Sequence, residues 1–274
     1  MSPLSVPYVL GGTSAEQQRL LIQAGELEAS ARSLLDRIPI QAGARAVDVG
    51  CGPIGITNLL SERVGPQGSV VGIEREPRFF EMARAEVKRR GLKNVEVLNA
   101  DALTTGLEKN AYDVVHERLV LINLPTATRQ AILVEMYALL KPGGIIALQE
   151  YDAVSYLCYP EHPSWQLLLD AFTDTFHESG GNEFIGRSLA SLLGSLGAEN
   201  VGMMAHVRFP KVGDYQRTHL LSLVGSMRDR LLTSGRLGET ELEAHVVALS
   251  DHLADPATTV IDKLIIQAWA RKPL

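Results

Sequence analysis

Residues 46–55 read AVDVGCGPIG, an apolar run followed by Gly50, Gly52 and Gly55 in the spacing G-x-G-x-x-G. This pattern predicts a buried strand that turns through a glycine loop into a helix. Because glycine has no Cβ, the backbone of such a loop can approach a nucleotide closely. The same spacing serves NAD and other adenosine-containing ligands, so it predicts a nucleotide site without selecting the nucleotide.

Composition and charge limit the classes of protein to which the chain can belong. Its 274 residues, 46% of them hydrophobic, suit a single globular domain. A net charge of −6 disfavours nucleic-acid binding, and no apolar stretch or leader predicts a membrane span or secretion. Two cysteines, Cys51 and Cys158, are too few for a disulfide framework or a zinc site. We therefore expect a protein of the reducing cytoplasm that binds neither nucleic acid nor membrane.

Strand and helix patterns alternate along the chain. After the strand at 44–50, apolar runs at 69–74, 95–100, 112–117 and 145–150 predict strands, and the patterns near 54–64, 77–90 and 126–140 predict helices. A helix predicted over 13–38 precedes these alternating strands and helices. After them, the patterns predict helices near 163–178, 187–196 and within 211–257, and strands at 201–209 and 259–272. Strands separated by helices predict a mostly parallel sheet with helices on both faces, the α/β class.

Acidic residues stand where the predicted parallel strands end. Asp48 lies at the glycine turn, Glu74 ends the second strand and Asp101 follows the third. Ligands of open α/β sheets bind at this edge, so we expect the three carboxylates to surround one site. They would repel a pyrophosphate and attract the ammonium and sulfonium groups of S-adenosylmethionine, since a charge-assisted hydrogen bond contributes about 1.5–3 kcal/mol. The charge of the site favours S-adenosylmethionine over NAD.

Five segments carry a resemblance to a known family. They are VDVGCGPIG (47–55), VVGIE (70–74), NADAL (99–103), YDVVHERLVL (112–121) and LKPGGIIALQE (140–150). In this order they resemble the motifs of class I S-adenosylmethionine-dependent methyltransferases, nearest to the UbiE-like small-molecule and natural-product subgroup. The resemblance implies a Rossmann-like, seven-stranded, mostly parallel sheet with an antiparallel last strand, helices on both faces and helical cap insertions. Asn123 is a departure, because the subgroup often has histidine there.

The resemblance also implies roles for single residues in binding S-adenosylmethionine. The methionine part would be contacted or oriented by Gly50, Cys51, Gly52 and Asp48, and Glu117 or its backbone would lie near the amino group. Glu74 would hold the ribose, and Arg75 would pack on the adenosine. Asp101 and Ala102 would contact the adenine edge, and Tyr8 would close over the cofactor. Asp48 has an alternative role, in which it binds the N–H groups of its own turn. Arg118 could either brace the sheet edge or contact a ligand.

A catalytic base is useful but not obligatory for methyl transfer, because the sulfonium already activates the methyl group. The candidates are Tyr151 and Asp152, which directly follow the fifth strand, and His116 at the end of the fourth. For His116 the alternative is packing within the sheet. Four further histidines, His162, His177, His206 and His219, belong to no diagnostic constellation. No His, Cys and carboxylate group has metal-ligand spacing, so we expect no metal.

The remaining segments indicate the class of acceptor. We expect one domain over 1–274, with a helical lid at 1–40, a cofactor-binding core at 44–150 and substrate-cap insertions at 151–184 and 211–257. Aromatic residues of these caps could wall an apolar pocket, which suits O, N or C methylation of a small organic metabolite, for instance in secondary metabolism. Homodimers or higher homo-oligomers are compatible with exposed caps.

Three other functions fit parts of the pattern. A protein of this fold could use bound S-adenosylmethionine for cyclisation or rearrangement of a substrate. The literal G-x-G-x-x-G permits an NAD(P)-dependent oxidoreductase. A module that only senses S-adenosylmethionine would also keep the cofactor motifs, although a covered pocket favours catalysis.

Overall fold

The computed structural model describes residues 14–274, with side chains from Arg19 onward. Its strands are β1 (Arg45–Val49), β2 (Ser69–Glu74), β3 (Val95–Asn99), β4 (Tyr112–Arg118), β5 (Leu140–Asp152), β6 (Leu157–Tyr159), β7 (Glu199–His206), β8 (Thr259–Ile261) and β9 (Leu264–Arg271). One sheet has the order β3-β2-β1-β4-β5-β9-β7, and β6 pairs with β8 separately. β1 to β5 run parallel, whereas β9 runs antiparallel to β5 and β7. The expected Rossmann-like sheet with an antiparallel last strand is confirmed.

Helices lie before, between and after the strands. They are α1 (Ser14–Glu26), α2 (Glu28–Arg37), α3 (Thr57–Val64), α4 (Pro77–Arg90), α5 (Thr126–Leu139), α6 (Pro163–Glu178), α7 (Leu189–Ser195), α8 (His219–Ser226), α9 (Arg228–Thr233) and α10 (Glu239–Ala254). The helix predicted over 13–38 is divided at Leu27, two residues after Gly25. Glycine has low helix propensity, which favours a division at this point.

The parallel register brings the strand ends to one edge of the sheet. Val49, the last residue of β1, pairs with Ile73 of β2 and Glu117 of β4. The glycine loop after β1, Glu74 at the end of β2 and the segment 119–124 after β4 therefore open at the same edge. This is where open α/β sheets bind their ligands.

Helices bury both faces of the sheet. On one face, α2 and α3 contribute buried residues such as Leu34, Leu35 and Leu60, which pack with Val114 and Ala147 of the sheet. On the other face, α5 and the helices that follow β5 form the larger cluster. Burial of one such leucine side chain contributes about 1.5–3 kcal/mol. α2 is thus part of the core, although the sequence placed it in the lid at 1–40.

The helices after β5 extend the larger core cluster over the ligand edge. Trp165 of α6 contacts Tyr156 edge to face, with ring centroids 4.9 Å apart, and Phe172 stacks on Phe176 at 5.4 Å. These side chains share one hydrophobic cluster with residues of β4 and β5. Between residues 14 and 274, no helix is long and apolar enough to cross a bilayer.

The closing segment differs from its prediction. The sequence predicts one strand over 259–272, but the chain forms β8 and β9 with a break at Asp262 and Lys263. The backbone N–H of Asp262 donates to the carbonyl of Arg208, and both interrupting side chains are buried against polar partners. These side chains turn the chain from β8, which pairs with β6, into β9 of the main sheet.

Candidate active site

The glycine loop has backbone angles and contacts that require glycine. Gly50, Gly52 and Gly55 all have positive φ, between 54° and 66°. A Cβ at Gly50 would overlap the Val120 side chain, and one at Gly55 would overlap the Asp48 carboxylate. The third glycine of the motif therefore makes room for an acidic side chain of the protein itself.

Asp48 binds two groups beneath this loop. Its Oδ2 accepts a hydrogen bond from the Ile56 N–H at 2.8 Å, and its Oδ1 lies 2.8 Å from His116 Nδ1. The side chain is only 1% exposed, although it reaches the cavity wall. N–H groups at this turn are the ones that would hold a phosphate in a dinucleotide site. Asp48 therefore binds the N–H of its own turn, which is its alternative role, and its negative charge opposes a pyrophosphate at this turn.

Glu74 fixes the other side of the loop. Its Oε2 accepts from the Gly52 N–H at 2.9 Å, and its Oε1 accepts from the Glu76 N–H at 2.7 Å. Burial raises the pKa of the Glu74 carboxyl, while these backbone N–H groups act in the opposite direction. Each carboxylate oxygen can accept more than one hydrogen bond, so Glu74 can also accept from the hydroxyls of a ribose.

The turn after β3 forms a third part of the site. Asp101 Oδ1 accepts from the Leu103 N–H at 2.9 Å, and its Oδ2 lies 3.8 Å from Arg75 Nη1. Asp101, Ala102 and Arg75 all line the same cavity as Glu74. The structure therefore brings these three residues together at the edge where the sequence predicts an adenosine site, and their contacts with a ligand stay a prediction.

One cavity of about 230 Å³ continues from the glycine loop to the cap. Its roof includes Leu20, Gln23 and Ala24 of α1, so the first helix covers the ligand edge. The wall far from the loop consists of residues from α6, α8 and the break between β8 and β9, namely Phe172, Phe176, His219, Leu223 and Lys263. The cavity is therefore acidic at the loop, and aromatic with buried nitrogen groups at its other end.

Most, but not all, of the predicted cofactor-binding residues line this cavity. Asp48, Gly50, Cys51, Gly52, Glu74, Arg75, Asp101 and Ala102 line it, whereas Glu117 does not appear on its wall. The Cys51 thiol is buried and packs near Gly72, so Cys51 contacts the cavity through its backbone. Tyr8 lies outside the described residues.

Glu117 belongs to a buried pair of acids, and its side chain does not line the cavity, whereas Arg118 and Leu119 beside it do, so the predicted contact of the adjacent backbone with the cofactor stays a prediction. Its side chain lies beside that of Glu150, and both side chains are fully buried. Glu117 Oε2 accepts from the Val120 N–H and Glu150 Oε1 from the Ile122 N–H, both at 3.1 Å. Burial raises the pKa of Glu117 to about 7 and raises the pKa of Glu150 well above its usual value. The pair positions segment 119–124, which itself lines the cavity.

Of the three predicted catalytic residues, only Tyr151 lines the cavity. Burial, followed by the nearby Asp262, raises the pKa of its hydroxyl, so Tyr151 is a neutral phenol. His116 is fully buried against Asp48 below the loop, in the packing role that the sequence left open. The geometry thus gives His116 a positioning role and not the predicted catalytic one.

Asp152 also has a structural role in place of its predicted catalytic one. Its two carboxylate oxygens each accept from the Arg187 guanidinium at 2.7 Å, and it also accepts from the Val154 N–H. Burial acts to raise the pKa of Asp152, but the hydrogen bonds from Arg187 bring the pKa below its usual value. Such a carboxylate is a poor base and is directed away from the cavity.

Several cavity residues were missed or undervalued from the sequence. The predicted site does not include Lys263 or Gln23, His219 is one of four histidines that belong to no diagnostic constellation, and Arg118 has two alternative roles. Arg118 Nη2 donates to the carbonyl of Gly55 at 3.1 Å, while Nη1 is buried and makes no hydrogen bond within residues 14–274. An available signal for Lys263 was the charged pair Asp262-Lys263 within an otherwise apolar closing run.

Comparisons with known proteins agree with this geometry. A family model described as a methyltransferase domain matches residues 40–183. The demethylmenaquinone methyltransferase of Geobacillus stearothermophilus is 34% identical over 119 residues, which are 43% of this chain. That alignment covers 50% of the relative, so the chain spans about half the length of the curated relatives it matches.

Solved structures extend the likeness in fold. A SAM-dependent methyltransferase from Aquifex aeolicus aligns with a TM-score of 0.53 and 22% identity, over 74% of this chain and 94% of that one. Phosphoethanolamine N-methyltransferase 2 of Haemonchus contortus, solved with phosphomonomethylethanolamine and S-adenosylhomocysteine, aligns with a TM-score of 0.57 and 16% identity. This second alignment covers 90% of this chain and 53% of that one.

Proposed function

Because this chain belongs to the methyltransferase domain family, we propose that it transfers the methyl group of S-adenosylmethionine to a small organic acceptor in the covered cavity. Family membership confirms the resemblance to class I S-adenosylmethionine-dependent methyltransferases, and with it this cofactor in place of NAD. The identity of the acceptor is a matter of proposal, since the relatives are matched over only half of their length.

The observation that carries the proposal is the single cavity that joins the acidic loop to the aromatic cap. Glu74 and Asp101 stand at one end with unused acceptor capacity, and the buried Arg118 Nη1 stands beside the loop. These groups match the ribose hydroxyls, the adenine amino group and the methionine carboxylate of S-adenosylmethionine, respectively. The donors and acceptors of the chain therefore suit this cofactor.

The same contacts oppose a dinucleotide. Asp48 already accepts the Ile56 N–H, and Glu74 already accepts the Gly52 N–H. A pyrophosphate on this loop would have to displace or approach two carboxylates, and like charges placed together are unfavourable. This arrangement supports a cationic ligand.

The bound cofactor supplies an activated methyl group, and the chain positions the acceptor and shields it from water. The roof formed by α1 and the walls formed by α6 and α8 cover part of the cavity, which limits the access of water to the acceptor. Alignment of two reacting groups in such a site can lower a barrier by about 7–11 kcal/mol. We propose that residues 44–150 hold the cofactor, while α1 and parts of 151–184 and 211–257 enclose the acceptor.

Two measurements test the proposed function. Isothermal titration should show binding of S-adenosylhomocysteine and no heat with NADH or NADPH. Incubation of S-adenosylmethionine with extracts of the producing cell should give a product heavier by one CH2 and an equal amount of S-adenosylhomocysteine. Heat with only the nicotinamide cofactors would overturn the assignment. Turnover without release of S-adenosylhomocysteine would favour cyclisation or rearrangement instead.

We also propose that the protein acts in the cytoplasm. Both cysteines, Cys51 and Cys158, are free thiols, and both are buried. Unpaired thiols are typical of a reducing compartment, which supports this location.

A further inference from the structure

A lysine fixes the orientation of a buried imidazole at the cap end of the cavity. His219 begins α8, is only 2% exposed, and its Nδ1 lies 2.9 Å from Lys263 Nζ. A lysine ammonium can only donate hydrogen bonds, so Nδ1 must accept and the imidazole proton must be on Nε2. His219 Nε2 is buried and has no hydrogen-bond partner among the residues that the structure describes. Both His219 and Lys263 line the cavity.

Lys263 keeps its charge in this buried position. Burial lowers its pKa to about 8, with Asp262 acting in the opposite direction, so the ammonium form prevails at pH 7. Asp262 Oδ1 is 3.5 Å from Nζ, while Asp262 Oδ2 accepts from Arg208 at 2.8 Å. The ammonium also lies 3.9 Å from the ring centre of Tyr156 and 5.0 Å from that of Tyr151. Its shortest polar contact is therefore the neutral imidazole.

The groups that face this pair make the imidazole a donor. Burial, followed by the cations Lys263, Arg19 and Arg208, lowers the pKa of His219 well below its usual value. His219 is thus neutral at pH 7, with one N–H that needs an acceptor. Glu183 also lines the cavity, and its carboxylate lies 2.5 Å from His177 Nε2.

We propose that His219 Nε2–H, with Lys263 behind it, binds an ionised hydroxyl of the methyl acceptor, carried on a planar conjugated ring. The proposal rests on the proposed function and names its acceptor class, a phenol or enol that binds as its anion. The stacked Phe172 and Phe176 and the side chain of Leu223 form an apolar wall of the same cavity, which suits a flat ring. Lys263 acts through His219 and is a positioning residue.

This arrangement also explains how methyl transfer can proceed at a site that has no strong base. The acceptor loses its hydroxyl proton to solvent before it binds, because the site offers a donor and a nearby cation to the anion. The oxygen then keeps the electron pair that makes it, or a conjugated ring carbon, a nucleophile. No side chain has to remove a proton during methyl transfer, which agrees with the neutral His219 and Tyr151.

The test uses 4-nitrophenol, whose phenol and phenolate forms absorb at different wavelengths, and its neutral methyl ether 4-nitroanisole. Both are titrated into the protein saturated with S-adenosylhomocysteine. We expect the bound probe to be phenolate, with its pKa lowered relative to the free probe. His219→Leu and Lys263→Met should each weaken phenolate binding by about 10- to 150-fold, the range expected for one charge-assisted hydrogen bond. Binding of 4-nitroanisole should change little.

Controls separate this proposal from folding and from the proposed function. His219→Gln places an amide donor near the position of Nε2 and should recover part of the phenolate affinity. Lys93→Met removes an exposed lysine and should change neither ligand. Binding of S-adenosylhomocysteine reports folding and cofactor function separately for every variant. The proposal is wrong if wild-type protein that binds S-adenosylhomocysteine takes up no phenolate, binds the neutral phenol, or binds phenolate equally well after Lys263→Met.

Discussion

The carboxylate of Asp48 and the imidazole of His116 meet beneath the glycine loop, with Oδ1 and Nδ1 2.8 Å apart. Both side chains are at most 1% exposed, and they sit on the neighbouring strands β1 and β4. The contact links the sheet to the loop, since the other oxygen of Asp48 accepts the Ile56 N–H. Of the roles that the sequence leaves open for these two residues, the geometry supports packing for His116 and binding of the glycine turn for Asp48, and together they set the position of the loop.

Replacement of His116 tests this positioning role. His116→Leu removes the partner of Asp48 Oδ1 and should lower the free energy of unfolding by about 1–3 kcal/mol, the cost of one unsatisfied buried polar group. His116→Asn keeps a donor and should lose less. Chemical denaturation measures both. Turnover per bound cofactor should persist in His116→Asn, and loss of turnover with stability and cofactor affinity intact would instead make His116 catalytic.

Gly55→Ala tests the contact between the third glycine and Asp48. A Cβ at this position would overlap the Asp48 carboxylate, and the residue also has a φ of +55°. Gly91→Ala is the matched control, because Gly91 is left-handed, with a φ of +66°, but has no atom within 4 Å of its added Cβ. We expect both variants to lose about 1 kcal/mol from backbone strain. Only Gly55→Ala should also lose affinity for S-adenosylhomocysteine in calorimetry; equal affinities would contradict the proposed constraint.

The buried pair of Glu117 and Glu150 predicts a stability that falls as pH rises. Both pKa values are raised in the folded protein, so the folded state binds more protons than the unfolded state. The stabilisation that the pair contributes to the free energy of unfolding is therefore complete below the ordinary pKa of glutamate, 4.5. That contribution is lost as pH rises through about 7, the folded pKa of Glu117. Each unit of pKa difference is worth about 1.4 kcal/mol, so the loss between pH 5 and 8 should reach a few kcal/mol.

Urea denaturation at several pH values measures this dependence. Glu150→Gln keeps an acceptor for the Ile122 N–H and removes one titrating group, so its stability should decline less steeply. The control Glu161→Gln changes an exposed carboxyl and should follow the wild type. A wild-type stability that does not fall over this range, or an identical decline in Glu150→Gln, would contradict the assigned pair.

Asp101→Asn tests the predicted contact with adenine. The amide oxygen can still accept from the Leu103 N–H, so the turn after β3 should remain intact. The new NH2 replaces a carboxylate oxygen and should weaken S-adenosylhomocysteine binding by about tenfold, the loss of one hydrogen bond of about 1.4 kcal/mol. Calorimetry gives the affinity, and a thermal melt without ligand checks the fold. Glu96→Gln, at an exposed position of β3, is the control.

Local pattern determined much of this protein. The alternation of apolar runs and helices over 44–150, the glycine loop, and Glu74 and Asp101 at the strand ends all follow from residues adjacent in sequence. Parallel strands bring their carboxyl ends to one edge, so these residues could be placed at a common site before any coordinates were known. The choice of a cationic adenosine ligand rested on their charge together with the resemblance of the motifs to a methyltransferase family.

The tertiary structure alone decided how the polar side chains pair. Asp152 meets Arg187, Glu117 meets Glu150 and His219 meets Lys263, each across more than thirty residues of chain. Strand and helix periodicity indicates which face a residue occupies but not which distant group it contacts. Burial makes an unpaired polar group costly, so these partners, and through them the roles of the side chains, are fixed by packing between elements that only the folded chain brings together.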